Sequence, residues 1–120
     1  MKGLPTDYRD KTICIMGLGY VGLTLAVVMA DVGFDVIGIE IRDEVLDSLR
    51  KGEPHFYEPG LTGRLQRVLS SGRLTISKNI PDDIKANVFI VTVGTPLDDN
   101  NQVRIDMVTS VCEEISNHLK

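Results

Sequence analysis

The chain has 120 residues, 42 % of them hydrophobic and 25 % charged, enough for one globular domain with a core but small for a complete two-substrate enzyme. Its net charge of −4, without any basic run, argues against a nucleic-acid partner. No apolar run approaches the roughly 20 residues of a membrane helix, and the polar start lacks a signal-peptide core, so a cytoplasmic protein with no membrane partner is expected.

Residues 1–10 read as a polar lead-in, and the folded domain is expected to occupy 11–120. The stretch TICIMGLGYVG at 12–22 predicts a short buried strand at Thr12–Met16, a glycine-spaced turn, and a helix starting at about Tyr20. In a dinucleotide-binding turn Gly17 permits the tight exit from the strand, Gly19 lets the backbone approach a diphosphate, and Gly22 lets the helix lie close. The unpaired amides at that helix start favour an anion. Helix Tyr20–Val32 is apolar on most sides, with Ala26 as a small contact residue and Gly33 as its stop. A second strand, Asp35–Ile39, leads to Glu40, eighteen residues beyond Gly22. That is close to the roughly 20 expected of an acid that grips the adenine ribose. A carboxylate there accepts the ribose hydroxyls and repels a 2′-phosphate, which predicts NAD rather than NADP. Arg42 is the one nearby cation that favours a 2′-phosphate; it is expected to stack near the adenine or to face water.

Asp43 is read as the cap of a short helix through Arg50, with Leu46 and Leu49 inward and Gly52 as its stop. Residues 51–60, KGEPHFYEPG, cannot form a helix interior. Phe56 and Tyr57 are expected to anchor this loop, and Glu53 and Glu58 either to face a ligand or to stay solvated. A third helix is predicted at 61–71, with Leu61, Leu65, Val68 and Leu69 on its inner side and Gly72 ending it. A strand at 73–77 and a connection at 79–86 follow. The apolar run NVFIVTV at 87–93 predicts a strand buried on both faces, broken at Gly94-Thr95-Pro96. After a loop at 98–104, Asp106 is read as the cap of a last helix with Met107, Val108, Val111, Cys112, Ile115 and Leu119 inward.

The order β-α-β-α-α-β-β-α predicts an α/β fold, a Rossmann-type doubly wound parallel sheet of about four strands with helices on both faces. In that topology the fourth strand lies beside the first, on the side opposite the second, so the turn at 17–22 and Gly94-Thr95 converge on one crevice. There Gly94 admits the cofactor and the Thr95 hydroxyl bonds a ribose or phosphate oxygen; the alternative is a plain strand-ending turn. Cys14 and Cys112 are expected to be core residues of a reducing compartment. His55 and His118 are too isolated to suggest a metal site.

Four segments together resemble the N-terminal domain of the UDP-glucose/GDP-mannose dehydrogenase family: GLGYVGLTLA at 17–26, IGIEIRDEVLDSL at 37–49, FYEPGL at 56–61 and VTVGTP at 91–96. The resemblance runs from Lys11 to the last helix. It implies an enzyme that oxidises the C6 alcohol of a nucleotide sugar to a uronate, in two hydride transfers to two NAD⁺. UDP-glucose and the UDP-N-acetylhexosamines are the leading substrates, and a homodimer or higher oligomer is implied for the whole enzyme. By the same resemblance Gly17, Gly19, Tyr20, Val21 and Gly22 lie against the pyrophosphate, Glu40 is the ribose-binding acid and Thr95 contacts the cofactor. Two positions depart from the family: Glu40 stands where Asp is usual, and Val45 where many members have lysine. The family's catalytic cysteine, lysine, asparagine and aspartate have no counterpart in these 120 residues, so the chain reads as a cofactor-binding fragment that catalyses nothing alone. The rival readings are the cofactor domain of a 6-phosphogluconate or hydroxyacyl dehydrogenase, and a non-catalytic dinucleotide sensor.

Overall fold

In the computed structural model, the structure describes residues 11–93, 99–102 and 106–119. Four strands, β1 (Thr12–Met16), β2 (Asp35–Ile39), β3 (Leu74–Ser77) and β4 (Val88–Val91), form one parallel sheet in the order β3-β2-β1-β4. Helix α1 (Tyr20–Val32) connects β1 to β2, α2 (Asp43–Arg50) and α3 (Leu61–Ser70) lie between β2 and β3, and α4 (Asp106–Ser116) comes last. This is the expected Rossmann-type order, with β1 central between β2 and β4.

Alternate residues of each strand point to opposite faces, and the two faces are covered unequally. Ile13 and Ile15 of β1, Val36 of β2, and Leu74 and Ile76 of β3 meet Leu23, Val27, Leu46, Leu49, Leu65 and Val68 of α1, α2 and α3 in one core. Leu23, Leu49 and Leu65 have no solvent exposure; truncating any of them to alanine costs about 2–5 kcal/mol. On the other face Cys14, Met16, Ile37 and Ile39 cluster with Ile80, Ala86 and the α4 residue Val111, with Ile84, Phe89, Val91, Val93 and Ile115 partly buried beside them. Among the described residues helices do cover both faces, three on one and one on the other.

The glycine stops end their helices as expected. Gly33 has φ +127° and gives its amide to the Ala30 and Met29 carbonyls; Gly52 and Gly72 also have positive φ.

Several expectations need correction. β4 is not buried on both faces: Val88 is 46 % exposed and the rest of the strand is half-buried. The strand is an edge, paired with β1 alone among the described residues. Its apolar run is nevertheless laid along β1 beyond the strand's ends, with the Asn87 amide on the Thr12 carbonyl and the Thr92 amide on the Met16 carbonyl. Asp43 is the first residue of α2 rather than its cap; Arg42 holds the cap position with no side-chain cap bond. Cys112 is exposed, not core. On α4 it lies about 100° round from Val111, which faces the sheet. Leu119 is 53 % exposed beyond the helix end. Tyr57 is 87 % exposed and anchors nothing, whereas Phe56 packs on the larger core. α1 keeps an open side at Val21, Val28 and Val32. The lead-in 1–10, Gly94, Thr95, Pro96 and the side chains of Asp106 and Met107 lie outside the described residues.

Candidate dinucleotide site

The site is built on the exit from β1. The Gly17 amide donates to the Ile39 carbonyl at 2.8 Å, tying the turn to the end of β2. Gly17 has φ +100°, and a Cβ there would lie 3.0 Å from the Thr92 carbonyl oxygen. Thr92 closes the other side, its hydroxyl donating to the Gly17 carbonyl at 2.7 Å. Gly22 is needed for space: a Cβ would fall 1.9 Å from the Gly17 oxygen and 2.5 Å from the Thr92 hydroxyl. The close approach expected of this glycine is therefore to the turn and the end of β4. Leu18 is fully buried and fills the room left by Gly38, where a Cβ would meet it at 2.9 Å. The side chain of Leu18 thus holds the turn down on the sheet.

Gly19 is different. Its φ is −74°, which any residue adopts, and a Cβ built there meets nothing within 4 Å. Nothing among the described residues requires a glycine at this position. The space in front of it is open, at the N-cap of α1, and that helix has neither a side-chain cap nor an acid in its first turn. A bare backbone facing open space at a helix start leaves main-chain amides that a ligand could approach.

Glu40 follows β2 and is only 4 % exposed. Its Oε1 accepts the Leu18 amide at 3.1 Å, and its Oε2 accepts the Arg42 amide at 2.9 Å. The Arg42 guanidinium adds two bonds, from Nε to Oε2 at 2.9 Å and from Nη2 to Oε1 at 3.3 Å. Burial alone pushes the Glu40 pKa up. The hydrogen bonds from the Arg42 side chain and from the two amides, with the charge of Arg42, outweigh it and hold the carboxyl below its ordinary range. Arg42 is half-exposed, but its guanidinium turns back onto Glu40 instead of lying free in water.

Glu40, Arg42, Gly17, Gly19 and Thr92 all border one cleft of ≈ 520 Å³ at the carboxyl ends of the strands, on the thinly covered face. Met16 and Ile39 form its apolar floor; Lys78 and Asn79 after β3, and Val111 and Glu114 of α4, complete the wall. The volume is that of a small-molecule site, and the crevice beside a reversal of strand order is where open α/β sheets bind ligands.

Tyr20 and Val21 are exposed at 57 % and 64 %. The Tyr20 hydroxyl donates to Glu58 at 2.8 Å, and its ring lies 5.0 Å from that of Phe56. The bond to Glu58 pushes the Tyr20 pKa up. Glu58 therefore holds the turn's tyrosine. In the same loop His55 stands edge-on to Phe56, its Nδ1 buried without a hydrogen-bond partner among the described residues. Burial, then the positive charge of Arg42, lowers its pKa, with Glu40 acting the other way. Cys14, under the cleft floor, has its thiol pushed up to about 12 by burial and by Glu114, and is inert as a nucleophile.

Of the residues singled out from the sequence, Gly17, Gly19, Glu40 and Arg42 line the cleft, Gly22 packs behind the turn against Gly17 and Thr92, and Tyr20 and Val21 are exposed at the start of α1 and are not part of its lining. Gly94 and Thr95 fall outside the described residues. Sequence reasoning gave Thr92 no role, although it stands inside the VTVGTP segment two residues before Gly94. It also missed Lys78, Asn79, Val111 and Glu114, which no spacing rule ties to the turn.

Residues 11–120 match the UDP-glucose/GDP-mannose dehydrogenase family, NAD binding domain. The UDP-N-acetyl-D-mannosamine dehydrogenase of Pyrococcus horikoshii is 44 % identical over 85 residues, which cover 71 % of this chain and 20 % of that protein. The GDP-mannose 6-dehydrogenase of Pseudomonas savastanoi pv. phaseolicola is 36 % identical over 104 residues, covering 86 % of this chain and 24 % of that one. Among solved structures, the UDP-N-acetyl-mannosamine dehydrogenase Cap5O of Staphylococcus aureus superposes with a TM-score of 0.82 at 34 % identity, over 92 % of this chain and 26 % of that one. The chain spans about a fifth to a quarter of the length of these proteins. On the strength of that match, and with a sheet order and turn to suit it, the chain belongs to the UDP-glucose/GDP-mannose dehydrogenase family, in which it corresponds to the NAD binding domain.

Proposed function

We propose that this chain is the cofactor-holding part of a nucleotide-sugar 6-dehydrogenase, which oxidises the C6 alcohol of a UDP- or GDP-linked sugar to the uronate with two NAD⁺. The observation that carries this reading is the bare backbone at Gly19, opening onto the cleft whose wall contains the buried carboxylate of Glu40. In this reading the first amides of α1, left open by Gly19 in a turn that Gly17 and Gly22 allow to close, hold the diphosphate, with Tyr20 and Val21 flanking it. Glu40 accepts the adenine-ribose hydroxyls, and its charge disfavours a 2′-phosphate. Gly94 and Thr95, which lie outside the described residues, are further proposed cofactor contacts on the strength of the VTVGTP segment alone. NAD, when bound, supplies the hydride acceptor.

The residues that hold the sugar and carry the oxidation belong, in this reading, outside these 120 residues. The short share of each relative that the chain spans supports that division. Calorimetric titration of the chain with NAD⁺ and NADP⁺ tests the cofactor half: NAD⁺ is expected to bind and NADP⁺ to bind more weakly. Equal or tighter NADP⁺ binding would overturn it. The reaction is tested on a polypeptide that restores the remaining length of the relatives, which is expected to reduce two NAD⁺ per uronate formed from a nucleotide sugar.

A further inference from the structure

The Glu40 carboxylate is already fully engaged. An ionised carboxylate offers about four lone-pair sites, and four donors occupy them: the Leu18 amide, the Arg42 amide, and Nε and Nη2 of Arg42. The two amides are fixed by the backbone of the turn and of the α2 start. Only the guanidinium can leave without unfolding anything, and its side chain is 50 % exposed, so it has water to move into.

We infer that Arg42 is a resident competitor for the ribose position of Glu40: its guanidinium occupies the acceptor sites that the 2′- and 3′-hydroxyls of a dinucleotide need, and must be displaced for NAD⁺ to bind. This inference rests on the reading that Glu40 is the ribose acid, and it adds a specificity-determining role for a second residue. The Arg42 guanidinium holds the buried carboxylate ionised on the cleft wall. On binding, the charge-assisted pair is exchanged for hydroxyl donors, which are weaker partners for a carboxylate. The displaced guanidinium then stands at the rim of the ribose subsite. Toward NAD⁺ it has lost its partner; toward a 2′-phosphate it gains a new one, because its fork of donors matches phosphate geometry. The same side chain therefore lowers affinity for NAD⁺ and supports what affinity remains for NADP⁺.

The test is the affinity of the chain and of two variants, Arg42→Ala and Arg42→Lys, for NAD⁺ and NADP⁺ by calorimetry. Arg42→Ala is expected to bind NAD⁺ about three- to tenfold more tightly than the unaltered chain and NADP⁺ more weakly. Arg42→Lys keeps the charge without the two-pronged geometry and is expected to fall between them for NAD⁺. A general loosening of the site would move both dinucleotides in the same direction, and that result overturns the inference. So does weaker or unchanged NAD⁺ binding by Arg42→Ala, which would make Arg42 a direct support for the adenosine while leaving Glu40 as the ribose acid. If neither the unaltered chain nor Arg42→Ala binds NAD⁺, this inference and the underlying cofactor reading fail together.

Discussion

Two helices begin at the carboxyl edge of this sheet, after adjacent strands, and the chain treats their starts in opposite ways. α2 supplies its own electrostatics, with Asp43 and Glu44 in its first turn, Arg50 in its last, and Lys78 paired with Asp43 at 3.0 Å. α1 has no acid in its first turn, no base in its last, and no side-chain cap. A helix start carries roughly half a positive charge and several unpaired amides, so α2 is internally compensated and α1 is left wanting an anion. Glu40 stands between the two, accepting the amide of Leu18 ahead of α1 and the amide of Arg42 at the cap of α2. It serves one helix start as structure and, in the proposed reading, the other as part of a ligand site.

The sharpest way to break the α1 side of this comparison is at its tightest contact. Gly22→Val places side-chain atoms where the Gly17 carbonyl and the Thr92 hydroxyl already are, and the carbonyl is backbone that cannot step aside. The variant is expected to lose about 3 kcal/mol or more of stability, read as a fall in the denaturant midpoint, and to bind no dinucleotide. Gly19→Val, three residues earlier, separates fold from function. Its side chain enters open space, so the loss of stability is expected to stay within about 1 kcal/mol. NAD⁺ binding is nevertheless expected to fall at least tenfold, because the side chain fills the approach to the amides. A Gly19→Val chain that binds NAD⁺ normally would remove the cradle from the proposed site.

That contrast also shows what the sequence could and could not say. The spacing of three glycines was legible, yet only the built structure separates their roles: Gly17 by its positive φ, Gly22 by its crowding, Gly19 by its emptiness. Glu40 was found because its distance from the turn is set by the length of α1 and β2, which are local in sequence. The pairing of Tyr20 with Glu58 spans 38 residues and depends on where the 51–60 loop comes to rest. No periodicity carries that information. β4 is a separate case: a run of β-branched residues looks the same in a central strand and at an edge, and the predicted strand order, with the fourth strand beside the first, already puts this one last in the sheet. Cys112 misled because one step along α4 turns a side chain from the sheet to the solvent.

Between the helices, Glu40 itself is the next point of attack. Glu40→Ala removes the ribose acceptors but also frees the position now held by Arg42, and is expected to weaken NAD⁺ about tenfold, in line with the loss of hydrogen bonds to a charged group. The pH dependence follows from the direction of its shift. The carboxyl's pKa is depressed in the folded chain, so its stabilising contribution is complete above the ordinary carboxylate value of about 4.3. That contribution disappears as the pH falls through the lower folded value. Glu40→Gln should remove this part of the acid-side loss, leaving a shallower decline of stability below about pH 4 than in the unaltered chain.

The smallest expected effect lies at the compensated helix. Asp43→Asn removes one charge from the first turn of α2 together with its pair to Lys78, both exposed. Interactions of a carboxylate with a helix start are worth about 0.3–1 kcal/mol, and exposed ion pairs contribute about as little. A stability loss of about 0.3–1 kcal/mol is expected, shrinking as salt screens both terms, with the NAD⁺ dissociation constant unchanged within about twofold. The value of this variant is as the counterpart of Gly19→Val: the same kind of place, a helix start beside the cleft, altered with the opposite partition between stability and binding. If Asp43→Asn instead cost binding and spared stability, the two helix starts would share one ligand, and the division of labour between α1 and α2 would have to be redrawn around Lys78.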